Sequence, residues 1–505
     1  MLRKNRQHLS NIKGLSFRVL SSVCCFLTCF VPLIKAQHTQ EKKQKRPNIL
    51  FLLTDDQSYN TVHALGNNTV VTPNMDRLVK EGTAFTQNHV MGGLQGAISM
   101  PSRAMLLTGR YLQHLQQDGR IIPTSDKTFP ELFRENGYLT FASGKWHSDK
   151  ASFNRSFSTG SNIFFGGMQQ YGTDGHFRPF LHEYDPTGEY VKGRFRSKFS
   201  SVCYADASID FIKSQRNKDK PFLMYIAFNS PHDPRTPPPG YGHKYEAGDI
   251  PLPLNFLSKH PFDNGDLNVR DETFLPVPRT PEMIRKEIAL YYGMISEVDT
   301  QIGRILEALE ESGEYDNTII VFTADNGLSV GQHGLLGKQN LYEHSAKTPL
   351  VIVGPGVPKN ERNSAFNYLL DLYPTLCDMT GIRYPATVDG KSLKDAIIEK
   401  KPLGRDHLTL SYINIQRAFK KDNYKLILYN VNGEERIQLF DLQKDPLEQN
   451  NLADALAYGK KIEEFTQLLN KEMHDIGDFC DLSKPGWGYP NVLSLEKITE
   501  IKQNK

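Results

Sequence analysis

The chain has too few cysteines to be a disulfide-stabilised scaffold. It contains only six cysteines in 505 residues, and three of them lie in the first 30 residues. Three remain for the rest of the chain, an odd number that permits at most one disulfide: Cys203, Cys377 and Cys480. Because the chain also lacks a long internal repeat or a low-complexity tract, its stability must come mainly from packing of a globular core.

A strong charge of either sign is also missing. The formal charge of the whole chain is +3, and taking away the six lysines and arginines of residues 1–36 leaves −3. This balance gives no reason to expect a nucleic-acid partner. The apolar fraction of 39% and the charged fraction of 23% predict a large buried core, and the length allows two to four domains.

The apolar run near the N-terminus is too short for a membrane span. It extends from Val19 to Ile34, contains Pro32, and falls below the roughly 20 apolar residues that a span needs. Basic residues precede it and Ala36 follows, which predicts a signal peptide over residues 1–36 and a flexible polar leader over 37–46. We expect an exported protein, periplasmic or secreted, with no stable membrane span. A retained anchor is the alternative, and lipid anchoring has no supporting motif.

Three short apolar runs predict the central strands of a largely parallel sheet. They are continuous rather than alternating, as expected for strands buried on both faces: Ile49–Leu53, Phe222–Phe228 and Thr318–Phe322. Each run ends in polar residues, and we expect these ends to converge because open α/β sheets bind ligands at the carboxyl ends of their strands. Apolar residues recurring every three or four positions from Ile288 to Leu309 predict a long amphipathic helix.

The pattern changes near residue 400. Three strand-like segments follow, and Asn432-Gly433 is typical of a hairpin turn: the segments are Asp406–Ile413, Tyr424–Tyr429 and Arg436–Asp441. A helix is predicted over Leu456–Leu469. We therefore predict a larger domain over residues 47–399, which would carry the catalytic site, and a smaller C-terminal α+β subdomain over residues 400–505 with an antiparallel sheet and a helix.

The sharpest local pattern is Ser99-Met100-Pro101-Ser102-Arg103, which Leu107-Thr108-Gly109-Arg110 follows. Pro101 suits the first position of a helix, which would leave Ser99 beside free backbone N–H groups that favour an anion. Arg103 can direct a fixed fork of donors to the same anion. These features predict an anion site built around Ser99.

This pattern resembles that of the type I sulfatases of the alkaline phosphatase superfamily, in which a cysteine or serine is oxidised to formylglycine. The resemblance extends over nearly the whole mature chain, because further family motifs follow in order. It implies an α/β fold with a large mixed, mostly parallel sheet flanked by helices. It also implies hydrolysis of carbohydrate sulfate esters by a formylglycine derived from Ser99, and an anaerobic-type sulfatase-maturing enzyme as partner because the residue is serine.

Residues with side-chain oxygens that can bind a metal follow two of the predicted strands: Asp55, Asp56, Asp325 and Asn326. These hard donors suit Ca²⁺ or Mg²⁺ and argue against zinc. As isolated dipeptides they would be ordinary turns or caps. The resemblance implies that they hold one divalent cation, for which we favour Ca²⁺.

Three further motifs resemble those of the family: Gly144-Lys145-Trp146-His147, Pro231-His232-Asp233-Pro234 and Gly337-Lys338. The resemblance implies that Lys145, Lys338 and Arg103 stabilise the sulfuryl oxygens. It implies that His232 protonates the leaving alcohol and that His147 deprotonates the remaining formylglycine hydroxyl, which expels sulfate. Tyr342-Glu343-His344 also fits the family, with Lys347 where arginine is frequent, and we assign these residues no chemistry.

The segment after Trp146 is dense in groups that can hydrogen-bond sugar hydroxyls. We predict substrate contacts from Asp174, His176 and Arg178, with His176 first, and a further one from His333. With the resemblance, this favours galactose or N-acetylgalactosamine over glucosamine or uronic acid. Two other functions stay open: a phosphomonoesterase or phosphodiesterase of the same superfamily that uses unoxidised Ser99, and a non-catalytic binder of sulfated glycans.

Overall fold

The structure, a computed structural model, describes residues 45–169, 175–215, 219–484 and 486–488. The predicted signal segment, and all of the predicted leader except its last two residues, lie outside this range. Within these ranges no helix combines the length and the apolar character that crossing a membrane requires.

The described residues form strands that we number along the chain. They are β1 (Asn48–Thr54), β2 (Thr83–Phe85), β3 (Asn88–His89), β4 (Gly92–Gly93), β5 (Leu139–Lys145), β6 (Thr159–Phe164), β7 (Phe180–His182), β8 (Gly193–Phe195), β9 (Phe222–Ala227), β10 (Thr318–Ala324), β11 (Leu350–Val353), β12 (Glu361–Asn363), β13 (Asn367–Tyr368), β14 (His407–Tyr412), β15 (Gln416–Lys421), β16 (Tyr424–Val431) and β17 (Glu434–Asp441).

Ten of these strands form one mixed sheet in the order β12-β2-β11-β10-β1-β9-β5-β6-β7-β8. The five neighbours from β10 to β6 run parallel to one another, and antiparallel strands extend the sheet on both sides. The three apolar runs are thus confirmed as the adjacent strands β10, β1 and β9. The predicted fold class, a mixed α/β sheet with a parallel centre, is confirmed.

Helices cover both faces of this sheet. The helices are α1 (Pro73–Glu81), α2 (Ser99–Thr108), α3 (Phe129–Glu135), α4 (Lys150–Ser156), α5 (Ser200–Gln215), α6 (Pro281–Glu311), α7 (Glu343–Ala346), α8 (Leu372–Thr380), α9 (Lys394–Glu399) and α10 (Gly459–Asp475). Alternate side chains of β1 enter two cores: Phe51 packs with residues of α2, α3 and α8, whereas Leu52 packs with residues of α1, α5 and α6. Because β1 is buried on both faces, its sequence is continuously apolar.

A second sheet has the order β17-β16-β15-β14-β4. Its four C-terminal strands are antiparallel, and Asn432 (φ 54°) and Gly433 (φ 85°) form the predicted turn between β16 and β17. Helix α10 packs on this sheet through Phe465 and Leu469. Strand β4 pairs with β14 and brings a segment from before residue 100 into the second sheet, so the boundary at residue 400 stays a prediction. The three cysteines after residue 45 are buried and free.

Candidate active site

Polar residues gather at the carboxyl ends of the central strands, where the sequence predicts them. Asp55 and Asp56 follow β1, His232 follows β9, Asp325 follows β10, and Lys145 is the last residue of β5. Because these strands run parallel, their carboxyl ends share one edge of the sheet. The start of α2, with Ser99, closes the group from above this edge.

Helix α2 begins at Ser99 itself, two residues earlier than predicted, with Pro101 as its third residue. Proline is tolerated there because the first N–H groups of a helix have no intrahelical partner. Ser99 Oγ lies 3.0 Å from Asn326 Oδ1, 3.3 Å from Asp55 Oδ1 and 3.5 Å from Asp56 Oδ1. Lys338 Nζ donates to the same oxygen over 3.0 Å. One buried hydroxyl is therefore in contact with three side-chain oxygens, which can only accept, and with one ammonium group.

These oxygens fit a hard divalent cation. Ligand atoms of Asp55, Asp56 and His232 all lie within 4.8 Å of one another, and all three residues are buried. Asn326 adds an amide oxygen from the next strand. Asp325 is placed differently, because its carboxylate accepts hydrogen bonds from Arg103 Nε (2.8 Å) and from the Asp56 backbone N–H (3.1 Å). Carboxylate and amide oxygens are the donors that Ca²⁺ and Mg²⁺ prefer.

Cationic side chains hold the carboxylates in place. Lys145 Nζ lies 2.6 Å from Asp55 Oδ2, and Lys338 Nζ lies 2.6 Å from Asp56 Oδ1. Burial alone would raise the pKa of Asp55, but the charges of Lys145, His232 and Arg103 outweigh it and hold that pKa well below its usual range. Burial, with the neighbouring Asp55, raises the pKa of Asp325 to about 6.

Arg103 is completely buried. Besides Asp325, its guanidinium donates to the backbone carbonyl of Lys145 over 3.1 Å, and it lies 3.7 Å from Asp55 Oδ2. These contacts are with groups that surround Ser99, so Arg103 can position them. The predicted contact of Arg103 with a sulfuryl oxygen stays a prediction.

A pocket of about 340 Å³ opens above Ser99, and His147, His232 and Lys338 line it. The Nδ1 of His232 lies 2.9 Å from the Asp233 carbonyl oxygen, and Nε2 lies 3.6 Å from Asp56 Oδ2. Since a ring nitrogen can bond a carbonyl only as a donor, Nδ1 carries a proton and Nε2 is the atom available for proton transfer.

The backbone before His147 is tightly constrained. Gly144 has φ 96°, and a Cβ at this position would lie 1.9 Å from the carbonyl oxygen of Ala227 on the neighbouring strand. Only glycine fits there. His147 itself has φ 74°, an uncommon value for a residue with a side chain. Burial, with the charge of Lys145, lowers the pKa of His147 well below its ordinary value, so its ring is neutral.

The predicted substrate-binding residues lie elsewhere. His176 is fully buried: its Nδ1 bonds Ser200 Oγ (2.9 Å) and its Nε2 bonds the backbone carbonyl of His232 (3.1 Å). Arg178 is exposed and its guanidinium lies 5.0 Å from the centroid of the Phe195 ring. His333 stacks on Tyr342 with the ring centroids 4.0 Å apart. None of these three lines the pocket above Ser99, and Asp174 lies outside the described residues.

Other side chains, which the sequence did not single out, line this pocket. Arg270, Asp271 and Gln339 line the pocket. Arg270 Nη2 donates to Asp233 Oδ1 over 3.0 Å, and Gln339 Nε2 donates to Asp271 Oδ2 over 3.0 Å. None of the three is among the residues predicted from the sequence. The position of Gln339 directly after Lys338 is a usable signal, whereas Arg270 and Asp271 belong to a short 3-10 helix, Arg270–Phe274, without a motif.

Comparison with known proteins identifies the family. A family model described as Sulfatase matches residues 47–382, and one described as N-sulphoglucosamine sulphohydrolase, C-terminal, matches residues 331–476. The first covers more than half of the chain, so the chain belongs to the sulfatase family. It is a sulfuric ester hydrolase.

Relatives and solved structures agree with this assignment. An N-acetylglucosamine-6-O-sulfatase of Bacteroides thetaiotaomicron is 28% identical over 88% of this chain and 89% of its own. An arylsulfatase of Clostridium perfringens is 29% identical over 90% of this chain and 100% of its own. A protein solved with its substrate D-glucosamine-2-N,6-O-disulfate has a TM-score of 0.71 at 26% identity, and the match covers 86% of this chain and 99% of that one. A phosphonate monoester hydrolase of Agrobacterium radiobacter (TM-score 0.68, 23% identity, 85% and 96% coverage) shares the fold.

Proposed function

We propose that this protein hydrolyses O-sulfate esters of a glucosamine-type saccharide through a formylglycine at position 99. The observation that carries the proposal is the surroundings of Ser99 Oγ, where three side-chain oxygens and the Lys338 ammonium all lie within 3.5 Å. The oxidation of Ser99 converts its CH₂–OH group to an aldehyde by removing one hydrogen from carbon and one from oxygen, with two electrons. We assign this step to an anaerobic-type sulfatase-maturing enzyme, which would supply the electron acceptor, acting on an exported chain.

Asp55, Asp56 and Asn326 would hold one divalent cation beside residue 99, with Asp325 next to them. We favour Ca²⁺, a hard cation that takes carboxylate and amide oxygens as ligands in flexible geometries. Bound there, a divalent cation would lower the pKa of a hydroxyl on residue 99 and so favour its attack on sulfur.

The side chains around the pocket can perform the other tasks of ester hydrolysis. Lys338 and Lys145 supply positive charge for the sulfuryl oxygens, within a buried site where such charges are effective. His232 would donate the proton of Nε2 to the departing alcohol. His147 is neutral and lines the pocket, which suits the general base that accepts a proton from residue 99 in the second half of the reaction.

The saccharide is proposed from the pocket and the relatives together. The predicted preference for galactose depends partly on the segment of His176, whose side chain is buried and does not line the pocket above Ser99. Two relatives named above act on or bind sulfated glucosamine, which supports glucosamine instead. In this pocket Arg270 offers donors and Asp271 an acceptor, a pair that suits neighbouring sugar hydroxyls.

The test is hydrolysis by matured, purified protein with four substrates: 6-sulfated N-acetylglucosamine, 6-sulfated N-acetylgalactosamine, a small aryl sulfate and the matching N-acetylglucosamine 6-phosphate. We expect kcat/KM to be highest for the glucosamine sulfate. The Arg270→Met variant should lose efficiency on this saccharide but not on the aryl sulfate, with Arg178→Met as the exposed control.

Two outcomes would replace the proposal. Faster hydrolysis of the phosphate ester by protein with unmodified Ser99 would support the phosphoesterase alternative. Binding of sulfated saccharide without turnover of any ester, by protein with a verified formylglycine and bound Ca²⁺, would support the non-catalytic binder.

A further inference from the structure

A second cavity lies apart from the catalytic pocket. Its volume is about 510 Å³, against about 340 Å³ above Ser99, and the two share no lining residue. Its walls are rich in tyrosine rings and asparagine amides: Tyr59, Tyr291, Tyr292, Asn60, Asn67 and Asn68. Its size falls in the range of small-molecule sites, and aromatic faces with a few polar groups are the usual lining of such sites.

Lys347 is the lysine that lines this cavity. It follows α7, lines the cavity, and places its ammonium 4.0 Å from the centroid of the Tyr59 ring. Within the described ranges its side chain makes no hydrogen bond or ion pair, in contrast to the neighbouring Lys420 and Lys425, which both pair with Glu343. Burial lowers the pKa of Lys347, as expected for an ammonium group whose charge lacks a partner.

The lysines near Glu343 and Glu448 outnumber these two carboxylates by one. Glu343 accepts from Lys420 (2.7 Å) and Lys425 (3.1 Å), and Glu448 pairs with Lys425 (2.9 Å). These two carboxylates balance two of the three lysines, and His89 stays neutral because burial lowers its pKa to about 4. The remaining charge is that of Lys347, which faces the tyrosine-lined space.

We propose that this cavity is a second saccharide site, and that it binds a sugar unit whose sulfate or carboxylate group pairs with Lys347. The tyrosine rings would pack on the apolar face of the sugar, and the asparagine amides would hydrogen-bond its hydroxyls. The inference rests on the proposed function only in taking the same class of glycan as ligand.

The cavity also borders the catalytic loop. Tyr291 lines it, and its hydroxyl donates to the backbone carbonyl of Asp56 (2.6 Å) while accepting from the backbone N–H of Ser58 (3.0 Å). A sugar held against Tyr291 would therefore lie behind the segment that carries Asp56. A long glycan bound there would remain attached to the protein while other units of it are cleaved, which raises their effective concentration.

The experiment measures binding without turnover. A heparin-derived tetrasaccharide is titrated calorimetrically into Ser99→Ala protein loaded with Ca²⁺, and then into the same protein with Lys347→Met. We expect two binding events in the first case, and in the second the loss of one event or its weakening by about tenfold or more, as for a charge-assisted hydrogen bond. Lys471→Met, an exposed lysine on α10, is the matched control and should bind as the parent does.

A second variant tests the inference independently, in case Lys347→Met does not fold. Asn68 is exposed at the cavity lining, so Asn68→Trp should fill the cavity without disturbing the core and should abolish the same event. The desulfated tetrasaccharide, which keeps its carboxylates, identifies the anion: lost binding assigns it to sulfate and retained binding to carboxylate.

Unchanged binding in both Lys347→Met and Asn68→Trp would overturn the inference. Because this signal needs no turnover, Lys347-dependent binding in a protein that hydrolyses no sulfate ester would count against the proposed function alone.

Discussion

Replacing His176 should test whether it positions His232 or recognises substrate. The ring is fully buried, stacks on Phe199 with the centroids 5.4 Å apart, and bonds the His232 carbonyl through Nε2. Burial lowers the pKa of His176 to about 4, so the ring is neutral with one donor. Nε2–H donates to the carbonyl, and Nδ1 accepts from Ser200.

His176→Phe keeps the ring but removes both hydrogen bonds. A buried polar group left without a partner costs about 1–3 kcal/mol, so the segment of His232 should shift or loosen. A displacement of about 1 Å in a catalytic group can lower the rate by about 10²-fold. We expect kcat to fall roughly ten- to hundredfold, equally on a sulfated saccharide and on a small aryl sulfate, with little change in KM.

The assay compares both substrates for His176→Phe, for His176→Gln, which keeps a donor, and for the exposed Arg178→Ala. His176→Gln should recover part of the lost kcat, and Arg178→Ala should be close to the parent. A loss confined to the saccharide would refute this reasoning and return His176 to substrate recognition.

Three further outcomes are expected. Mass spectrometry of the peptide containing Ser99 should show a loss of two hydrogens in active protein, and full activity with intact serine would exclude the oxidation. Removing divalent cations should abolish turnover and lower the melting temperature, because a ligand bound only by the native state stabilises it, and Asp56→Ala should melt at the same temperature with and without Ca²⁺. Burial raises the pKa of Glu297 to about 7 from 4.5, so the native state binds the extra proton and stability should fall as pH rises between these values. Glu297→Gln should remove this pH dependence, which amounts to up to about 3 kcal/mol in the free energy of unfolding. The measurement is a series of melting curves from pH 4.5 to 8, and the same pH dependence in parent and variant would contradict the prediction.

The central strands could be predicted because their signal is local. A strand buried on both faces needs a continuous apolar run, and β1, β9 and β10 each supply one. Strand β15 has no such run. Its Arg417 and Lys420 are buried because distant carboxylates pair with them, Asp478 over 2.9 Å and Glu343 over 2.7 Å. Such partners cannot be read from the segment itself, and the strand was missed.

Some residues of the candidate site could likewise be predicted from the local sequence, and others could not. Asp55 and Asn326 follow predicted strands, and the topology of a parallel sheet is enough to bring them together. The interior position of His176 depends on Ser200 and on the carbonyl of His232, which lie 24 and 56 residues away. Because its neighbours in the sequence are aromatic and polar, this histidine is predicted to be exposed unless those distant partners are known.

Charge alone cannot explain which ester the site hydrolyses. The three aspartates and the three lysine or arginine cations around Ser99 sum to zero formal charge: Asp55, Asp56, Asp325, Arg103, Lys145 and Lys338. A divalent cation held among them would leave two positive charges, and a protonated His232 would add a third. These attract a sulfate monoester, which carries one negative charge, and they attract more strongly a phosphate monoester, which carries nearly two at neutral pH because its second pKa is about 6. A phosphonate monoester hydrolase shares the fold, so the fold by itself does not select the ester. On the proposed mechanism, selection for sulfate comes from residue 99 and from the pocket above it. Determining the chemical state of residue 99 is therefore the deciding measurement.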